Sequence, residues 1–357
     1  MSGIPINWLS REAVPDHAQV ETIHMLSTNE NPLGPSPAVI ETLRNLAPDV
    51  SQYPPTNDEK LRLALAETYG RDLTPGHFFT ANSGCEGVEF IGKAFLGPDD
   101  ECIICSPAFS VYQWAADLQK ARVVDVPLDT ESLTHRIDAI LEAVTDRTRL
   151  IFLCNPHNPA GTMTSAADME RFYAGLPDHV VVVADEVYIH YVDRPDFPDS
   201  IADMAAGRNV IMLYSFSKAY ALAGMRLGFG IARPELASRV SDFCRTFHLS
   251  TLVLEAGIAA LRDEEHKEKS VDLVLSGKKW LYQQFERLGL RTWPSQTNFI
   301  LVELPVLAHD AAVRLLDYGV IVMPQDKYGL PNCIRISVGL PDGNEVCIRA
   351  LEETLEV

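Results

Sequence analysis

No run in this chain approaches the roughly eighteen consecutive apolar residues of a membrane-crossing helix. Residues 1–10 also lack the basic stretch followed by an apolar one that marks a secretory signal. A cytoplasmic protein is therefore expected. Basic side chains are scarce, with 30 lysines and arginines against 49 aspartates and glutamates, a formal charge of −19. Such a surface repels nucleic acid and anionic membrane, so neither is expected as a partner, and any anionic ligand needs a local cluster of donors. Paired cysteine motifs are nearly absent. The seven cysteines are odd in number and scattered, as reduced thiols are. Cys102 and Cys105 have redox or zinc spacing, but they fall in a strand-like run with no second pair, which makes small core residues of them. The ten histidines show no ligand spacing, and no metal is expected. Low-complexity linkers and internal repeats are missing too.

What is present is a chain of 357 residues, 46% apolar and 22% charged, long enough for a large core and two lobes. Short aliphatic runs at 102–105, 123–126, 150–154, 180–184 and 210–214 read as strands. Helical patterns over 86–95, 111–119, 137–144 and 166–174 lie between them. Strands apolar on both faces and separated by helices predict a mostly parallel sheet covered on both sides, an α/β lobe spanning about 47–247. Beyond it, helical patterns at 252–262 and 268–288 lead to strand-like 298–303 and 334–338. A last helix opens at Asp342-Gly-Asn-Glu345 with capping-box character. Residues 248–357, completed by 1–46, form an expected smaller α+β lobe, and the crevice between the lobes is the natural ligand site.

Four stretches carry chemistry. In Tyr214-Ser-Phe-Ser-Lys-Ala-Tyr-Ala-Leu-Ala-Gly-Met-Arg-Leu-Gly228, Lys218 follows a strand among small and apolar residues, where burial lowers its pKa toward the reactive amine. Ser215, Ser217 and Arg226 around it make a phosphate cradle. Val180-Val-Val-Val-Ala-Asp-Glu-Val-Tyr188 places Asp185 at the carboxyl end of a buried strand, the ligand edge of a parallel sheet. There it can hold a pyridinium nitrogen protonated, with Tyr188 in reach of a phenolic oxygen. Leu153-Cys-Asn-Pro-His-Asn-Pro-Ala-Gly-Thr162 is a rigid turn that leaves Asn158 free to bond a ligand oxygen. Asn82-Ser-Gly-Cys-Glu-Gly87 opens a helix whose unpaired N–H groups favour a phosphate. Taken singly, the last two are also what an ordinary loop and an ordinary helix start look like.

Together these stretches resemble the pyridoxal-phosphate aminotransferases of fold type I, class I/II, and within them the histidinol-phosphate aminotransferase branch. Further matches fall in that branch's order: Ser27-Thr-Asn-Glu-Asn-Pro-Leu-Gly-Pro-Ser-Pro37, Tyr53-Pro54, Leu222-Ala-Gly-Met-Arg226, Thr297-Asn-Phe299 and Cys333-Ile-Arg-Ile-Ser-Val-Gly339. The resemblance implies a large lobe with a mostly parallel seven-stranded sheet sandwiched by helices, and pyridoxal 5′-phosphate as cofactor. It implies that Lys218 carries the cofactor as a Schiff base and moves the proton at Cα. Asp185 would pair with the pyridine nitrogen, Asn158 and Tyr188 would hold the ring oxygen, and Phe109 would stack on the ring. Backbone N–H groups of Gly84 and Cys85, with Ser215, Ser217 and Arg226, would hold the phosphate. Arg335 would clamp the substrate carboxylate. Tyr53 would reach the phosphate of a neighbouring subunit, which implies a homodimer with shared sites.

Two segments depart from the branch. Gly319-Val-Ile-Val-Met-Pro324 puts Met323 where an arginine for the substrate phosphate stands, and Arg245-Thr-Phe-His-Leu-Ser-Thr251 lacks the proline and asparagine of an Arg-x-Pro-aromatic-Asn segment. The expectation is therefore transfer of an amino group from an L-amino acid with an unphosphorylated, apolar or aromatic side chain to a 2-oxo acid. Met323, Phe247 and His248 would line its pocket. The alternatives are histidinol phosphate itself, or a decarboxylase, lyase or cyclase reaction on the same fold. A non-catalytic regulator conflicts with intact Lys218, Asp185 and Arg335.

Overall fold

The computed structural model describes residues 6–15, 18 and 20–356. Its strands, in chain order, are β1 His24–Met25, β2 Phe78–Ala81, β3 Glu101–Ile104, β4 Arg122–Asp125, β5 Thr148–Cys154, β6 Val181–Asp185, β7 Val210–Ser215, β8 Gly228–Ala232, β9 Arg291–Thr292, β10 Phe299–Glu303, β11 Val320–Ile321, β12 Met323–Pro324 and β13 Cys333–Ser337. Seven of them form one sheet in the order β2-β8-β7-β6-β5-β3-β4. Only β8 runs antiparallel to its neighbours β2 and β7.

Alternation along these strands builds two cores. Val182 and Ala184 of β6, with Met212 and Tyr214 of β7, join a cluster with Leu61, Ile140 and Phe172 from helices Glu59–Tyr69, Ile137–Ala143 and Ala166–Gly175. Val181, Val183, Ile211 and Leu213 join another with Ile91, Ala115 and Val240, from helices Gly84–Phe95, Val111–Leu118 and Pro234–Ser241. Two-faced burial is what makes each strand an unbroken aliphatic run. Cys102 and Cys105 fall in opposite clusters, as three-residue spacing on a strand requires, and burial pushes both thiols up to about 12. They are core side chains.

Two strands of the sheet, β2 and β8, have no counterpart among the runs read from sequence. β8 carries Gly228 and Gly230, poor strand formers held here by pairing on both sides. A Cβ on Gly228 would lie 2.5 Å from the Ser83 carbonyl carbon and 2.6 Å from the Gly84 nitrogen. Glycine thus lets β8 approach the start of helix Gly84–Phe95.

The smaller lobe holds an antiparallel four-stranded sheet, β12-β13-β10-β9, and the parallel pair β1–β11. Its core takes Trp8 and Leu26 from the N-terminal segment and Val274, Leu281 and Phe285 from the long helix Glu264–Arg287. The packing divides the lobes differently from a boundary at 47 and 247. Val39 of helix Pro37–Leu46, and Leu254, Ile258 and Leu261 of helix Thr251–Arg262, bury their side chains in the large-lobe core. Helix Thr251–Arg262 packs against both helix Pro37–Leu46 and helix Glu59–Tyr69, information that a linear boundary ignores. The last helix, Pro341–Leu355, also differs from expectation. Pro341 occupies its first turn, so no capping box forms, and the Asn344 side chain instead bonds both the N–H and the C=O of Gly339, at 2.9 and 3.0 Å. No helix among the described residues is long and apolar enough to cross a membrane.

Candidate active site

The parallel strands end at one edge, and the segments leaving them meet the smaller lobe around a cavity of about 560 Å³. The sharp exit of β2 is set locally. Ser83 caps helix Gly84–Phe95 by accepting from the Glu86 N–H at 3.3 Å, and the Glu86 carboxylate accepts from the Asn82 N–H at 2.5 Å. Gly84 and Cys85 therefore present the first turn of that helix to the cavity.

Asp185, the last residue of β6, is buried at the cavity floor. Burial raises its pKa, opposed by a 2.6 Å hydrogen bond from the Tyr112 hydroxyl to Oδ2. Lys218 stands in the turn after β7, its Nζ donating to the carbonyl of Asn29 at 3.0 Å and sitting 5.6 Å from the Tyr188 ring centroid. Burial, with the Arg335 charge nearby, brings this lysine down to about 8. Arg335, in the middle of β13, is buried, and among the described residues it has no carboxylate partner. Its Nη1 donates to Asn158 Oδ1 at 2.6 Å, its Nη2 to the Ser27 carbonyl at 2.7 Å, and its Nε has no partner. Burial lowers its pKa as well. Arg226 is held in the left-handed region at φ 54° by the turn before β8, with Nη1 donating to the Ala223 carbonyl at 2.7 Å and no carboxylate paired with it.

The cavity brings together Gly84, Cys85, Phe109, Asn158, Asp185, Tyr188, Ser215, Ser217, Lys218, Arg226 and Arg335, eleven residues singled out from sequence alone. Tyr53 is not among them. It is 86% exposed, with its ring 5.2 Å from that of Phe247. Met323 does line the cavity, whereas Phe247 and His248 do not. Phe247 packs on Tyr53, and His248 lies 3.0 Å from the Thr80 hydroxyl.

Several site residues had no reading of their own. Asn29, at φ 55°, donates from Nδ2 to the Tyr188 hydroxyl at 3.1 Å, and exchanges bonds of 2.9 and 3.0 Å with Ser337. Asn31 donates to the carbonyls of Lys218 and Ala219. The Thr28-Asn-Glu-Asn31 segment thus ties the lysine turn to the smaller lobe. Two asparagines in a Pro/Gly-bounded stretch were the available signal, since asparagine tolerates the left-handed region. Tyr112 and Lys327 gave no such signal.

An open, mostly parallel sheet that carries a lysine and a carboxylate into a cleft, with an arginine from the antiparallel sheet of the smaller lobe facing the same cleft, defines a fold type I pyridoxal-phosphate enzyme. The chain belongs to the aminotransferase class I and II family, whose model matches residues 21–351, and it is accordingly a pyridoxal-phosphate-dependent transaminase. It is 38% identical over 354 residues to the histidinol-phosphate aminotransferase of Moorella thermoacetica, covering 99% of this chain and 89% of that one. It is 41% identical over 330 residues to that of Akkermansia muciniphila, covering 92% and 89%. The crystal structure of histidinol-phosphate aminotransferase from Sinorhizobium meliloti in complex with pyridoxal-5′-phosphate superposes with a TM-score of 0.88 at 26% identity, covering 99% of this chain and 96% of that one.

The residues present fit this cofactor. A guanidinium paired with no carboxylate among the described residues, two serines and a helix N-terminus line the cavity and suit a phosphate, and a buried carboxylate lines it and suits a ring nitrogen. A buried Arg335 Nε without a partner is costly unless an anion completes it.

Proposed function

We propose that this transaminase moves the amino group of L-histidinol phosphate to a 2-oxo acid. The observation that carries the chemistry is the placing of Lys218 and Arg335, which pair with no carboxylate among the described residues, in the same cavity as Asp185. Bound pyridoxal phosphate supplies an electron sink conjugated with the substrate's Cα–N bond. In our reading Asp185 keeps a proton on the ring nitrogen, while Tyr188 and the Asn158 amide hold the ring oxygen. Asn158 already spends Oδ1 on Arg335, which leaves its NH2 group for that bond. Phe109 packs on the ring face, and Gly84, Cys85, Ser215, Ser217 and Arg226 hold the phosphate. Lys218 Nζ would hold the cofactor and would take and return the proton at Cα.

The names of the relatives favour histidinol phosphate over the unphosphorylated substrate expected from Met323. The cavity offers support as well. Lys327, four residues beyond Met323, also lines it, and no ion pair of the described residues includes it. Histidinol phosphate has no carboxylate, so Arg335 would meet a phosphate oxygen in one half-reaction and the carboxylate of the oxo acid in the other. Lys327 would share the phosphate's second charge. Met323 favours a second reading, an L-amino acid with an apolar or aromatic side chain.

Each common L-amino acid and histidinol phosphate should be mixed in turn with the cofactor-loaded enzyme, without any oxo acid. Fastest conversion of the bound cofactor to its amino form by histidinol phosphate, slowed in Lys327→Ala, supports the proposal. Fastest conversion by an unphosphorylated amino acid selects the second reading. Release of carbon dioxide or an eliminated group without conversion would overturn both and select a lyase.

The dimer belongs to the same proposal. Tyr53 and Phe247 leave an exposed aromatic pair on the large lobe, 86% and 42% accessible, of a kind that subunit contacts cover. We place Tyr53 against the cofactor phosphate of a second subunit. A dimer by sedimentation, with cofactor affinity lowered in Tyr53→Phe, is the expected result. A monomer of full affinity excludes it.

A further inference from the structure

We infer that Tyr112 is a positioning residue for the cofactor ring, fixing both Asp185 beneath the ring nitrogen and Phe109 against the ring face. Its place follows from the sequence of helix Val111–Leu118. Phe109 and Tyr112 are three residues apart, at the entry and in the first turn of this helix. The Tyr112 ring is buried and stacks on Phe152 of β5, with centroids 4.9 Å apart and planes at 12°. That stack leaves the phenol no freedom of its own.

Two contacts radiate from it. The hydroxyl donates to Asp185 Oδ2 at 2.6 Å across 73 residues of chain. Asp185 Oδ1 accepts only a long bond, 3.4 Å, from the Val187 N–H, and so keeps its capacity for a further donor. The Tyr112 ring meets that of Phe109 edge to face, at 5.9 Å and 87°. One side chain thus chooses which carboxylate oxygen is offered to the ligand and at what angle the stacking aromatic stands. It also offsets the effect of burial on Asp185, since a donated hydrogen bond favours the ionised carboxylate that a protonated ring nitrogen requires.

This inference rests on the cofactor reading above, and its test separates the two. Affinity is measured for pyridoxal phosphate and for its analogue with C–H in place of the ring nitrogen, in wild type and in Tyr112→Phe. The variant keeps both ring contacts and loses only the hydroxyl. We expect it to bind pyridoxal phosphate about tenfold more weakly, the size of one lost hydrogen bond to a charged group. Affinity for the nitrogen-free analogue should be unchanged, because the analogue cannot pair with Asp185. Equal losses for both ligands would mean a structural role, and no loss for either would mean that the hydroxyl is dispensable; both outcomes overturn the inference. Failure of wild type to bind pyridoxal phosphate would instead remove the cofactor reading. As a check on folding, Tyr112→Leu removes the edge contact with Phe109 and should weaken both ligands.

Discussion

Arg335 of the smaller lobe and Asn158 of the large lobe are joined by a 2.6 Å hydrogen bond, although 177 residues separate them. The bond holds a guanidinium in place before any anion arrives, and leaves its Nε open. Arg335→Lys keeps a charge but loses the planar fork. We expect kcat/KM for the oxo acid to fall roughly 10- to 100-fold, matching the 1.5–3 kcal/mol of hydrogen bonds to charged groups. The visible absorption of the bound cofactor should stay, because Arg335 is not part of its cradle. Steady-state kinetics and a spectrum decide the matter together.

Burial and the nearby Arg335 charge bring Lys218 down to about 8. Only the neutral amine is nucleophilic, so the rate at which the apoenzyme takes up pyridoxal phosphate should rise with pH and level off above about 8. Stopped-flow absorbance between pH 6 and 10 measures this. A plateau first reached above pH 10, where an ordinary lysine titrates, would contradict the buried setting.

Gly228 is where β8 passes the start of helix Gly84–Phe95, which we propose holds the cofactor phosphate. The Cβ of Gly228→Ala would press on the backbone of Ser83 and Gly84, which cannot swing aside as a side chain can. Overpacking of this kind costs about 1–3 kcal/mol. The thermal midpoint should drop, and affinity for pyridoxal phosphate should drop with it, since the displaced atoms include the N–H groups of the first turn. Unchanged cofactor affinity at a lowered midpoint would show that the helix start does not hold the phosphate.

His135 and His157 lie buried beside each other, with centroids 5.4 Å apart, and the Thr164 hydroxyl is 2.7 Å from His135 Nδ1. Burial lowers His135 to about 4 and His157 well below its ordinary 6.5. The folded protein keeps both neutral while the unfolded chain takes up protons near 6.5. Stability is therefore full above pH 6.5 and declines as pH falls toward about 4. Each such group steepens the decline by about 1.4 kcal/mol per pH unit. His135→Asn can still bond Thr164 but cannot titrate, so its urea midpoint should fall less steeply between pH 6.5 and 4.5. Parallel curves for variant and wild type would refute this.

The sequence by itself determined the larger part of this protein. Strands β3 to β7 were legible because burial on both faces forces aliphatic residues at every position. Lys218, Asp185 and Asn158 stood out by their chemistry at strand ends and in a rigid turn, Arg335 by the family resemblance, and the fold brings all four to one cavity. Tertiary structure alone decided the rest, since it depends on residues far apart in the chain. β8 exists because β2 and β7 pair with its glycines, not because glycine favours a strand. Helix Thr251–Arg262 belongs with the large lobe because of what its apolar face meets. Asn29 acts through Ser337, 308 residues away, and Tyr112 through Asp185, 73 residues away. A hydrogen bond between distant residues leaves no periodicity in either segment. Its partners become visible only when the fold brings them together.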